Sequence, residues 1–116
     1  LTSSEAVFVG DPKHVAYGVA KAGVTALARH VAAAYGKQGV RCNSVAPGLV
    51  ISEVAAEIAR VHPERAARHR RILEASPTPR LGTSEDLAAV VAFLFSEDAA
   101  YVNGQTWSVN GGSVMR

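Results

Sequence analysis

Tyr17 and Lys21 stand four residues apart in the stretch His14-Val15-Ala16-Tyr17-Gly18-Val19-Ala20-Lys21-Ala22-Gly23-Val24. On a helix this spacing places a phenol and an ammonium on one face, one turn apart. A phenol is a poor proton donor or acceptor near neutrality, its reference pKa being about 10. A cation a few Å away stabilises the phenolate and brings such a group nearer the range in which general acid–base catalysis works. Ser4, thirteen residues before Tyr17, adds a hydroxyl able to hydrogen-bond a reacting oxygen.

These side chains need a frame. Small and apolar residues continue from Val15 to Tyr35 in a helical pattern. Val15, Val19, Leu27, Val31 and Tyr35 are read as one apolar stripe and the many alanines as a slim surface. Gly18 and Gly23 inside the helix each cost about 0.5–1 kcal/mol relative to Ala, tolerable where something packs close. Gly36 and Gly39 stop the helix, with Lys37 near its negative end. Residues 1–4 read as the exit of a strand, and residues 5–13, with Gly10 and Pro12, as a loop. Residues 40–46 are strand-like and run into Pro47-Gly48. In a doubly wound sheet ligands collect at the carboxyl ends of the strands, so Ser4 and Pro47, each just past a strand, are expected on the same edge.

The order Ser4, Tyr17, Lys21, then Asn43-Ser44-Val45-Ala46-Pro47-Gly48, Arg80-Leu81-Gly82, Phe93-Leu94-Phe95-Ser96 and the tail Asn103-Gly104-Gln105-Thr106-Trp107-Ser108-Val109-Asn110-Gly111-Gly112 resembles the short-chain dehydrogenase/reductase family along nearly the whole chain. The tail from Arg80 is similar to that of 3-oxoacyl-carrier-protein reductases. The resemblance implies an α/β fold, the C-terminal half of a doubly wound Rossmann-type parallel sheet in three α/β/α layers. Residues 1–116 are then the C-terminal part of a single nucleotide-binding domain, with a variable substrate lid at about 49–79.

It also implies an NAD(P)-dependent oxidoreductase interconverting an alcohol and a carbonyl on a small molecule. Tyr17 would move the proton, Lys21 would stabilise its phenolate and bond the nicotinamide ribose, and Ser4 would hold the substrate oxygen. Pro47, Gly48, the Val50 backbone and the Ser52 hydroxyl would meet the nicotinamide carboxamide. Ser52 stands where the family commonly has Thr. A homodimer or homotetramer is implied too, because the family sets the long helix against a neighbouring subunit. The residues that choose between NAD and NADP follow an earlier strand, so the preference stays open.

Among the ten glycines no Gly-x-x-x-Gly-x-Gly or Gly-x-Gly-x-x-Gly occurs, and the chain opens on Leu1-Thr2-Ser3. The sequence therefore reads as a fragment that lacks the nucleotide fingerprint and is inactive by itself. The alternative is a truncated, non-catalytic remnant serving oligomerisation or interaction. Taken singly, Ser4 reads as a strand-end hydroxyl, Tyr17 as a half-buried aromatic and Lys21 as a surface cation; only jointly do they read as catalytic.

Further along, residues 53–60 read as a short helix, Pro63 as a break, and residues 64–75 as a second helix. Arg65, Arg68, Arg70 and Arg71 on it read as a solvated face, with an anionic acyl-carrier or coenzyme A thioester as the alternative partner. His62 and His69 lack companion ligands at metal-binding spacing, so no metal site is expected. Ser84 is expected to cap a helix over Leu87, Val90, Val91 and Leu94, with Glu85 and Asp86 favourable in its first turn. Thr106–Val109 is expected to be the last strand.

Composition bounds the rest. The chain has 116 residues, 48% hydrophobic and 19% charged, which suits one folded domain. A net charge of +2 gives no reason to invoke nucleic acid. Cys42 is the single cysteine, read as a buried reduced thiol in a strand. The start carries no signal-peptide pattern, and the longest apolar run, 87–95, falls short of the roughly 20 residues that span a bilayer. A cytoplasmic protein without membrane association is the default expectation.

Overall fold

The computed structural model describes residues 1–115. The order is helix α1 (Val15–Tyr35), strand β1 (Ser44–Pro47), helices α2 (Glu53–Val61), α3 (Pro63–Ala75) and α4 (Ser84–Phe95), and strand β2 (Thr106–Val109). Short 3-10 turns occupy Glu5–Val7, Gly36–Gln38 and Glu97–Ala99.

β1 and β2 pair in parallel, with Ser44 opposite Thr106, Val45 opposite Trp107, and Pro47 opposite Val109. On the other side of β1, Thr2 forms a parallel bridge to Val45. The Ser3 amide donates to the Val45 carbonyl at 2.7 Å, and the Val45 amide to the Leu1 carbonyl at 2.9 Å. β1 is thus the central strand, and residues 1–3 are the strand exit expected there. Each parallel connection is a helical crossover, as parallel pairing demands.

Side-chain alternation sends Ser3 toward α1, where its hydroxyl donates to the Lys21 carbonyl at 2.9 Å and meets the Thr25 hydroxyl at 2.8 Å. Since the one Ser3 proton goes to Lys21, Thr25 is the donor in that pair. Trp107 turns toward α4 and stacks obliquely on Phe93, ring centroids 5.6 Å apart. Helices therefore lie against both faces of the sheet.

The sheet's contacts with α1 correct the expected stripe. Thr25 and Ala28 are buried, while Val15, Val19 and Leu27 are exposed. The inward face of α1 matches a hydroxyl, Ser3, rather than an apolar surface. Gly18 makes only an ordinary contact with the Ala6 carbonyl oxygen, and nothing lies within 4 Å of a Cβ placed at Gly23.

Three other expectations are corrected. The strand begins at Ser44 rather than Val40, because the Asn103 side chain takes the Val40 carbonyl and the Cys42 amide before it, while Asn43 turns to the segment before β2. Asn103 Oδ1 accepts the Cys42 amide at 2.7 Å, and Asn43 Oδ1 accepts the Gln105 amide at 2.9 Å. Cys42 consequently lies outside the strand and is half-buried. The cap of α4 is Thr83, with Ser84 the first helical residue. Asp86 fixes this boundary by accepting the Thr83 amide at 2.8 Å, the reach-back of a capping box. The helix pair in the middle falls as expected, with Pro63 opening α3. Among the described residues no helix is long and apolar enough to cross a membrane.

Candidate active site

Ser4 follows the strand exit with extended backbone, and its Oγ accepts the Ala6 amide at 3.2 Å, capping the Glu5–Val7 turn. Its own proton remains free to donate. The buried Ser3 hydroxyl, tied to Lys21 and Thr25, fixes this loop against α1.

α1 begins at an Asp11 turn. Asp11 accepts the Lys13 amide at 2.9 Å and pairs with His14 Nδ1 at 2.7 Å. The His14 hydrogen bond, reinforced by that of the Lys13 amide, holds the Asp11 carboxyl below its ordinary range. Tyr17 is in the first turn of α1, where the positive end of the helix favours negative charge. Lys21, one turn on, has its Nζ 5.7 Å from the Tyr17 ring centroid, within cation–π range. The same ammonium donates to the Thr2 carbonyl at 3.0 Å, binding the helix to the strand exit that carries Ser4.

A cavity of about 410 Å³ gathers Ser4, Tyr17, Pro47 and Gly48, which are among its lining residues. Both strand ends and the start of α1 do meet at one edge. Lys21 stands behind Tyr17 and does not line the cavity. Val50 and Ser52 are also off it: Val50 lines a neighbouring cavity of about 430 Å³ with Ile72 and Thr78, and Ser52 caps α2 by accepting the Ala55 amide at 3.1 Å.

The same cavity holds Glu5, which sequence reasoning missed, and Arg68, which it read only as one of four arginines on a solvated face or facing an anionic partner. Glu5, next to Ser4, lines it, as does Arg68 from α3. Ser113 Oγ donates to Glu5 Oε2 at 2.5 Å. A Cβ on Gly48 would lie 2.7 Å from Asn110 Cβ and 2.8 Å from Asn110 Cα, so this turn and the segment after β2 are in close contact. No local signal announces any of these, since the partners lie far apart in sequence.

Comparison with known proteins decides the lineage. The family model described as enoyl-(acyl carrier protein) reductase matches residues 1–114. The 2,3-dihydroxy-2,3-dihydro-p-cumate dehydrogenase of Pseudomonas putida is 41% identical over 112 residues, covering 97% of this chain and 42% of that protein. A short-chain type dehydrogenase/reductase structure from Mycobacterium ulcerans superposes with a TM-score of 0.83 at 35% identity, over 97% of this chain and 39% of the other. The chain belongs to the short-chain dehydrogenase/reductase family.

A further family relative, the L-rhamnose 1-dehydrogenase (NAD(P)(+)) of a Sphingomonas species, is 40% identical over 110 residues, covering 95% of this chain and 42% of that protein. The chain spans about two-fifths of the length of the relatives it matches. Its α/β architecture is that of the Rossmann-type short-chain dehydrogenase/reductases, and the parallel strands, crossover helices and shared edge described above are part of that fold.

Proposed function

We propose that this chain forms the catalytic and substrate-facing part of an NAD(P)-dependent oxidoreductase that interconverts an alcohol and a carbonyl. One observation carries the reading: Ser4, Tyr17 and the Pro47-Gly48 turn line one cavity, with the Lys21 ammonium 5.7 Å from the Tyr17 ring. In reduction Tyr17 gives its phenolic proton to the carbonyl oxygen, and in oxidation it takes the proton from the alcohol. Ser4, its lone pair engaged by the Ala6 amide, keeps its hydroxyl proton for the same oxygen and stabilises charge developing there. The Lys21 ammonium stands one turn behind Tyr17 on the same helix, 5.7 Å from its ring.

The donor set fits the nicotinamide end of a dinucleotide. Lys21 spends one of three N–H donors on Thr2, leaving two for ribose hydroxyls. Ser52 accepts at its oxygen and retains a proton for a carboxamide oxygen. With Val50 it stands on the turn leaving β1, which supports the cofactor assignment made from the sequence. When bound, the nicotinamide supplies or accepts the hydride. The glycine-rich cradle for the pyrophosphate is not among these residues, so this part alone holds only one end of the cofactor.

Residues 49–79, with α2 and α3, are the substrate lid in this reading, a view supported by Leu49 at their start and Arg68 within α3, which both line the cavity. The exposed apolar side chains of α1, Val15, Val19 and Leu27, support a homodimer or homotetramer. NADH- and NADPH-dependent turnover by the complete protein, across a panel of small ketones and alcohols, tests the assignment. Turnover that Tyr17→Phe abolishes supports it. Turnover unaffected by that change removes it. Calorimetry on residues 1–116 alone addresses the non-catalytic alternative: we expect a self-associating chain without micromolar affinity for either cofactor.

A further inference from the structure

α3 carries four arginines, yet only one of them, Arg68, lines the cavity that holds Ser4 and Tyr17. The Arg68 side chain makes no hydrogen bond or ion pair among the described residues. Apart from Tyr17, the other ionisable side chains facing that cavity already have partners, while the Ser4 and Tyr17 hydroxyls keep their protons for the reacting oxygen. Glu5 accepts from Ser113, Asp11 accepts from Lys13 and pairs with His14, and the Ser4 oxygen accepts from Ala6. Lys21 is turned away to the Thr2 carbonyl. The guanidinium is therefore the cationic donor in the cavity whose fork is unspent, and its planar geometry matches a carboxylate in two parallel hydrogen bonds.

We infer that Arg68 selects a substrate bearing a carboxylate, so that the oxidised or reduced carbon belongs to a short hydroxy acid or oxo acid. This rests on the oxidoreductase reading and specifies its substrate class. The two ends of the substrate are held by different elements: the reacting oxygen by Ser4 and Tyr17 at the strand ends, the carboxylate by Arg68 on α3. A cavity of about 410 Å³ is within the range of small-molecule sites. Glu5 and Asp11 lie in the same cavity and disfavour an anion beside them. They confine the carboxylate to the Arg68 end and leave the remainder to uncharged or hydroxyl-bearing groups.

The test uses the complete protein with 4-oxopentanoate and its methyl ester, a pair that differs by the charge. Dissociation constants are read by ligand-observed NMR, and turnover is followed separately with NADH and NADPH. The acid should bind at least about tenfold more tightly than the ester. Arg68→Ala and Arg68→Gln should erase that preference, Arg68→Lys should retain part of it, and Arg71→Ala, a neighbour off the cavity, should leave it intact. Salt should weaken binding of the acid alone. Equal binding of acid and ester, or a preference that survives Arg68→Ala, overturns the inference. A preference lost in Arg68→Ala without turnover of either probe upholds the anion site and counts against the hydride-transfer reading. Turnover with an acid preference independent of Arg68 does the reverse.

Discussion

Ser113 donates a hydrogen bond of 2.5 Å to the carboxylate of Glu5, a residue 108 positions earlier in the chain and adjacent to Ser4. The contact braces the Ser4 loop from the segment that follows β2, so a residue outside every regular element helps to set the candidate active site. A hydrogen bond to a charged group contributes about 1.5–3 kcal/mol. Ser113→Ala should lower stability by up to this amount and reduce kcat without abolishing it. A double-mutant cycle with Glu5→Gln, read by urea denaturation, should give a coupling energy above about 0.5 kcal/mol. Additive effects would show that the bond is not maintained in solution.

Gly48 makes a second prediction on the same edge. A methyl group there would sit 2.7 Å from Asn110 Cβ and 2.8 Å from its Cα, and the latter is backbone that cannot rotate away. Gly48→Ala should cost about 1–3 kcal/mol, the usual penalty for overpacking, and should raise KM more than it lowers kcat. Gly23→Ala, where a Cβ meets nothing within 4 Å, is the contrasting control and should stabilise the chain by about 0.5–1 kcal/mol. Loss of stability at Gly23 would mean that another surface lies against α1.

Tyr17→Phe keeps the ring and removes the proton. In the complete protein kcat should fall by roughly 10²–10⁴, the range for general acid–base catalysis, with cofactor affinity nearly unchanged. Lys21→Ala should weaken cofactor binding as well as turnover, since it also frees the Thr2 carbonyl it now holds. Steady-state kinetics with direct cofactor titration separates the two effects. A Tyr17→Phe protein with most of its activity would refute the assignment.

Acid should find α4 early. Arg80 donates to both oxygens of Asp86 at 2.6 and 2.7 Å, and the Thr83 amide adds a third bond. The Arg80 guanidinium, with the Thr83 amide, holds the Asp86 carboxyl well below the usual carboxylate range. A carboxyl depressed in the folded state contributes stability above its unfolded value, about 3.9, and loses it as pH falls toward the folded value. Urea denaturation between about pH 6 and about pH 2 should therefore show an acid-side decline that Asp86→Asn makes shallower. An identical decline in that variant would remove Asp86 as a source.

The pair α2 and α3 packs chiefly against itself, with exposed Val54 and Val61 and no buried residue in either helix. Few buried contacts mean low local stability. Hydrogen exchange in the complete protein should be faster over 53–75 than over Val15–Tyr35, and should slow there when cofactor and substrate are added. Equal protection in the two regions without ligand would rule out a lid.

Much of this was legible in the sequence because it depends on neighbours in the chain. The ends of α1, the Pro63 break and the limits of β2 follow from local residues that start or stop an element. The gathering of Ser4, Tyr17 and Pro47 followed from one rule about strand ends. The start of β1 was not legible, since Asn103, about sixty positions on, takes the backbone groups of Val40 and Cys42. The buried face of α1 was misread because Ser3 offers it a hydroxyl, which apolar periodicity does not register. Arg68 could not be told from the three arginines beside it until α3 was set against the strand ends.

Among the described residues β1 is the strand with neighbours on both sides, and the two sides of the cavity are therefore closed by loops of different length. The strand exit at 1–3 and β2 both pair with β1, each reached by a crossover of its own. The crossover through α1 spans fewer residues than the one from Pro47 to Thr106, and its shorter loop closes at lower entropic cost. Ser4, Tyr17 and Lys21 can thus come together within the first crossover. The Arg68 side of the cavity and the brace from Ser113 belong to the second crossover and the segment beyond it. The groups proposed to move a proton depend on the shorter closure, and the walls that would choose the substrate on the longer one.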